Sequence, residues 1–261
     1  MLYVLSPAKS LDYETPVPLA VREAATTPQF LPEAARLMAL LKAQSADEIA
    51  ELMDLSPALA ELNVARYQTW SRRNTDRNSR PAALAFNGDV YDGLAAPSLS
   101  LADLAWAQKH VAILSGLHGV LRPLDRLQPY RLEMGTQLVN PRGRNLYAFW
   151  GDRIAVHLAA SVAGHKLPVV VNLASQEYFR AADRAALKAR VIECVFEDWK
   201  NGQYKVISFF AKRARGLMAR HAVTQRIATP DKLRDFAVDG YAYAAEVSAP
   251  ERLVFRRRIA D

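Results

Sequence analysis

One cysteine, Cys194, stands among 261 residues, so no intramolecular disulfide framework exists, and a lone thiol fits a reducing compartment. No apolar run approaches the roughly 18 residues that a membrane span needs. The apolar start, residues 1–5, has no basic stretch before it and stops at Ser6-Pro7, which reads as a buried strand and not as a secretory signal. A cytoplasmic location without membrane association is therefore expected. The sequence also lacks a Walker phosphate loop, a dinucleotide glycine fingerprint, a G-x-S-x-G elbow and an H-E-x-x-H pair. Its five histidines, His110, His118, His157, His165 and His221, are scattered and far from the cysteine in sequence. Neither a metal site nor a cofactor is expected.

A further absence is local. Between Trp199 and Pro230 there is no Asp or Glu, while Lys200, Lys205, Lys212, Arg213, Arg215, Arg220 and Arg226 all fall there. With a net charge of +7, such a one-signed stretch creates a positive potential suited to phosphates or carboxylates, unless it serves only solubility.

What is present is an ordinary globular balance, 51% hydrophobic and 23% charged, on a length that can bury a sizeable core. The patterning predicts strands at 1–5, 82–86, 111–114, 169–173, 191–196 and 204–210. Helices are predicted at 34–42, 47–53, 57–70, 101–110, 146–163 and 211–227. Helices and strands mix without strict alternation, so the expected fold is α+β or mixed α/β. It would be one compact domain over residues 1–261, with a mixed sheet and surrounding helices.

Several segments carry candidate chemistry. Ser6-Pro7-Ala8-Lys9 sits where the first strand emerges, the place where ligands collect in α/β sheets. Asn87-Gly88-Asp89-Val90-Tyr91-Asp92-Gly93 sets acids and a tyrosine in a glycine-bracketed turn, a composition that turns also favour for backbone reasons. Residues 114–134 hold two glycines, two prolines, Arg122, Arg131 and Glu133, and read as a shaped loop. Ser175 follows a buried strand, caps the next helix and precedes Glu177. On the basic helix, Lys212, Arg213, Arg215, Arg220 and Arg226 fall within an arc of about 160°, opposite Ala211, Ala214, Met218 and Ala222. Gly216 lets a backbone or a ligand come close, as in a phosphate-contacting turn. Residues 47–70 form a helix-hairpin-helix-like element with Ser56 as N-cap, Pro57 at the first helical position and Arg66 nearby. The turn lacks the glycines typical of DNA-binding hairpins, so spacing alone favours an ordinary helical hairpin.

Longer motifs are specific. Ser6-Pro7-Ala8-Lys9-Ser10-Leu11-Asp12-Tyr13, Gly88-Asp89-Val90-Tyr91, Gly119-Val120-Leu121-Arg122-Pro123-Leu124-Asp125, Pro129-Tyr130-Arg131-Leu132-Glu133-Met134, Phe149-Trp150-Gly151-Asp152, Asn172-Leu173-Ala174-Ser175 and Ala214-Arg215-Gly216-Leu217-Met218 closely resemble the bacterial peroxide stress protein YaaA family over nearly the whole chain. His118 and Asn87 depart from it, at positions where the family often has Tyr and Lys. The resemblance implies a protein that limits hydrogen-peroxide damage, lowers free intracellular iron and binds double-stranded DNA through a basic cleft and a helix-hairpin-helix. The expected anion-binding residues are Lys9, Arg66, Arg122, Arg131, Lys212, Arg213, Arg215 and Arg220, with no obligatory protein partner. The alternative is an enzyme acting on a nucleotide or another phosphorylated small molecule, with Lys9, Asp89, Tyr91, Glu133 and Glu177 as catalytic candidates.

Overall fold

A computed structural model describes residues 1–258. Its centre is an eight-stranded mixed sheet: β1 (Leu2–Leu5), β2 (Val111–Ser115), β3 (Gly119–Leu121), β4 (Val169–Leu173), β5 (Arg190–Lys200), β6 (Gln203–Lys205), β7 (Ala242–Tyr243) and β8 (Arg252–Arg257). The strand order is β7-β8-β5-β4-β1-β2-β3, with β6 pairing to β5 off that path. The run β8-β5-β4-β1-β2 is parallel, and the antiparallel pairs β2–β3, β5–β6 and β7–β8 close its flanks. The protein is thus a single compact α/β domain with a mixed sheet, the class its patterning predicts.

β1, β2 and β4 are buried at every residue, as strands covered on both faces must be, which explains their continuous apolar sequences. β5 instead alternates buried and half-exposed positions, so only one of its faces meets the core. The main helices are α1 (Leu31–Lys42), α2 (Ala46–Met53), α3 (Pro57–Thr69), α4 (Asp89–Leu94), α5 (Leu101–His110), α6 (Arg153–Ala163) and α7 (Ser208–Thr224). No helix among the described residues is long and apolar enough to cross a membrane.

Five segments differ from their patterning, one of them residues 87–93, read as a turn, where Asp89–Leu94 forms α4. Residues 82–86 do not form a strand. Ala82–Ala85 is a helical turn, because Ala-Ala-Leu-Ala is a strong helix-forming run and its first amides bond to the carbonyls of Asp125 and Pro123. Phe86–Asn87 then pairs with Ser10–Leu11. The helix expected at 146–163 breaks at Gly151, whose φ of 51° leaves a short Leu146–Trp150 turn before α6. The strand expected at 204–210 ends at Lys205, and α7 starts at Ser208. Residues 114–121 are core and not loop: Leu117, His118, Val120 and Leu121 are buried, and the β2–β3 turn packs under Trp150, whose indole N–H donates to the Gly116 carbonyl at 2.9 Å.

The hairpin at 47–70 is observed as α2 and α3. Ser45 and Glu48 make a reciprocal capping box, and Asp54 turns the chain at φ 51°. Ser56 holds the N-cap position of α3 in an extended conformation, but its hydroxyl accepts no helix amide.

Candidate functional site

β1 is the switch point of the sheet: the chain pairs β2 on one side of it and β4 on the other. Crevices open outside the carboxyl ends of strands at such points. Here the residues leaving β1 and β4 meet, and the Ser175 amide donates to Ser6 Oγ at 2.9 Å. That bond forms one wall of a cavity of about 440 Å³. Lys9, Asp89, Glu133, Glu177, Tyr178, Lys212 and Arg215 are among its lining residues.

Each charged group is delivered by a separate element. Lys9 follows β1 and its Nζ lies 2.7 Å from Glu133 Oε2. Glu133 also takes Arg131, Nη2 to Oε1 at 3.0 Å, so this carboxylate is held by two cations. Glu177 stands in the short helix after β4, where it accepts the Gly135 amide at 2.8 Å. Asp89 opens α4, and its nearest cation is Lys212 Nζ of α7 at 4.0 Å. Arg215, one turn further along α7, is mostly buried; desolvation lowers its pKa, opposed by Glu193 and the Cys194 side chain.

The approach of α4 to α7 places Asp89 opposite Lys212. Glycines permit it: a Cβ on Gly216 would stand 1.8 Å from the Val90 carbonyl oxygen. The close approach anticipated at Gly216 is therefore made by a helix backbone, and the turn 212–216 does not wrap a phosphate there.

A second concavity of about 400 Å³ adjoins the first and shares Lys9, Glu133 and Glu177 with it. Arg131 lines it, together with Glu51 and Asp54 at the α2–α3 turn. A continuous groove thus runs from the hairpin turn, past Lys9, to Lys212 and Arg215.

Other candidates lie elsewhere. Arg122 follows β3, which runs antiparallel to β2 and carries it away from the strand ends; it clamps the buried carboxylate of Asp125, Nη2 to Oδ1 at 2.9 Å. Arg213 joins Asp239, which also binds Arg257 of β8. Arg220 donates to the carbonyls of Leu94 and Ala95 at 3.1 Å each, closing the C-terminus of α4. Arg66 lies half-buried on α3 beside Asn63. Tyr91 is buried, and its hydroxyl donates to the Ser6 carbonyl at 3.0 Å; burial raises its pKa. Sequence reasoning missed Tyr178, which lines the cavity beside Glu177. Its signal was weak, since an apolar face of a short helix reads as packing.

The family model described as peroxide stress protein YaaA matches residues 1–247. The chain belongs to that family. It is 62% identical to a UPF0246 protein of Bordetella petrii over 258 residues, covering 99% of this chain and 100% of that protein. It is 61% identical over 261 residues to a UPF0246 protein of Leptothrix cholodnii, with both chains covered completely. A UPF0246 protein of Bordetella pertussis is 60% identical over 258 residues, 99% of each chain. Membership in the YaaA family supports a role in peroxide stress. The positions forming the groove, from Ser6 to Arg215, all fall inside the matched span.

Proposed function

We propose that this YaaA-family protein acts in peroxide stress by binding double-stranded DNA with little sequence preference. What carries the reading is the groove that joins the α2–α3 turn at Asp54 to Lys212 and Arg215 through Lys9. It links a helical hairpin to a basic helix on a chain of net charge +7. Cations spaced along a groove follow a phosphate backbone without reading bases, and their affinity comes from released counterions. Lys212, with a side chain 53% exposed and standing 4.0 Å from Asp89, is free enough to reach a phosphate, while Lys9, 63% exposed, is paired with Glu133. The lowering of free intracellular iron is read as an indirect consequence in cells. Among the described residues, no three His, Cys, Asp or Glu side chains are grouped to hold a metal ion. Fluorescence anisotropy on a labelled duplex tests the reading. Affinity should fall steeply between low and physiological salt, and absence of binding at low salt would overturn it.

A second reading has its own observation: three carboxylates and three cations share one strand-end cavity. That mixture suits an enzyme acting on a nucleotide, with Asp89 as the carboxylate least engaged by neighbours and Lys9, Glu133 and Glu177 as supporting groups. Tyr91 drops to a structural part in it, since its hydroxyl is already taken. Loss of peroxide protection in Asp89→Asn cells, with DNA binding intact, would favour this reading over the first.

A further inference from the structure

The charges of the strand-end cavity form a mixture that a phosphate backbone alone does not explain. The strand-end cavity sets Asp89, Glu133 and Glu177 against Lys9, Lys212 and Arg215, three charges of each sign. Lys9 is already committed to Glu133 at 2.7 Å, and Arg131 reinforces that carboxylate from outside. Three carboxylates lining a recess disfavour a phosphodiester. They suit a neutral group that offers N–H donors on one edge and acceptors on another. A nucleobase is such a group: carboxylates accept from exocyclic amines, and ammonium and guanidinium groups donate to ring nitrogens and carbonyls. Asp89 has no hydrogen-bond donor among the described residues, and its closest cation lies at 4.0 Å. It is the acceptor left open for a ligand.

The size agrees. About 440 Å³ lies within the range of small-ligand sites, roughly 300–1,000 Å³, and leaves room for one nucleotide but not for a duplex. A base in a duplex reaches such a recess only by leaving the stack, and bases that pair or stack poorly leave it most readily. Oxidised and mispaired bases belong to that class.

We infer that the strand-end cavity receives a single nucleotide turned out of bound DNA, with Asp89 and Glu177 accepting from the edge of the base and the phosphate held at the rim by Lys212. The inference rests on the duplex-binding reading and specifies what its cavity takes. No bond is made or broken in it.

The experiment uses the full chain and duplexes carrying 2-aminopurine, whose fluorescence rises when it is unstacked. It is read beside anisotropy on the same duplexes. The expected result is saturable binding with a several-fold rise in 2-aminopurine emission, larger when the probe is mispaired. Asp89→Asn and Glu177→Gln should each lose most of that rise, whereas Asp231→Asn, on the exposed turn Pro230–Asp235, should keep it. Duplex binding with unchanged emission would overturn the inference and leave duplex binding standing. An emission rise unaffected by both pocket variants would place the base elsewhere and also overturn it. No binding of any duplex at low salt would remove both readings together.

Discussion

Gly93 and Gly216 press two helices together backbone to backbone: a Cβ on Gly93 would stand 2.2 Å from the Arg213 carbonyl oxygen, and one on Gly216 1.8 Å from that of Val90. Backbone atoms cannot rotate aside as a side-chain tip can, so a methyl group at either place must separate α4 from α7. Overpacking of this kind costs about 1–3 kcal/mol or more. Against that stands a gain of about 1 kcal/mol from replacing a helical glycine. Gly216→Ala should therefore lower stability in urea unfolding. It should also weaken ligand binding, because α4 carries Asp89 and α7 carries Lys212. Unchanged stability would mean that the helices separate freely.

His118 is buried, and neither ring nitrogen has a partner among the described residues. Desolvation pushes its pKa down from 6.5 to about 3. The folded imidazole stays neutral while the unfolded one takes a proton below about pH 6.5. Stability is therefore complete above pH 6.5 and is lost as the pH falls from 6.5 toward 3, by about 1.4 kcal/mol per unit of pH. His118→Phe should keep the edge-to-face contact with Tyr130 and remove the orphaned nitrogens. Urea midpoints measured from pH 8 to pH 5 should fall less in the variant than in the wild type. Equal slopes would show that His118 finds partners in the folded protein.

Cys194 faces the core from β5, and burial together with neighbouring Glu193 raises its thiol pKa. A thiol needs its thiolate to attack peroxide. Folded protein exposed to hydrogen peroxide should retain unmodified Cys194 by mass spectrometry, while protein unfolded in urea is oxidised. Cys194→Ala should leave peroxide protection in cells intact. Rapid oxidation in the folded state would make direct peroxide chemistry a contender.

The basic helix separates into two groups under mutation. Lys212→Ala should weaken DNA binding for all sequences alike and flatten the salt dependence by about one unit per lost phosphate contact. Arg220→Ala should instead lower the thermal midpoint, because it leaves the carbonyls of Leu94 and Ala95 without their donor. A salt slope that changes in Arg220→Ala at unchanged stability would reverse these assignments.

Legibility in the sequence tracks physical periodicity closely. The buried strands β1, β2 and β4 are legible because strands covered on both faces are apolar throughout. The buried stripe Ala211, Ala214, Met218 and Ala222 of α7 follows from helical spacing. Ser6 to Lys9 and Ser175 to Glu177 stood out because each follows a buried strand, and the structure brings both segments to one cavity. Arg122 was grouped with them by charge and loop composition. The antiparallel turn at Gly119, which sends Arg122 the other way, has no local signature of direction. Arg220 and Arg213 looked like phosphate ligands because charge on a helix face does not reveal which carbonyls or carboxylates of distant segments will claim it.

The amide of Ser175 meeting the hydroxyl of Ser6 has a consequence for how the protein comes into being. The two residues are separated by 169 positions, so the wall they form cannot exist in any early, locally folded fragment. It appears only once β4 has docked beside β1, a pairing of high contact order and hence among the slow steps of assembly. A chain emerging from the ribosome carries Lys9 long before it has a recess to set it in, and Lys212 and Arg215 emerge only after β4. The recess is accordingly a property of the completed sheet, acquired late.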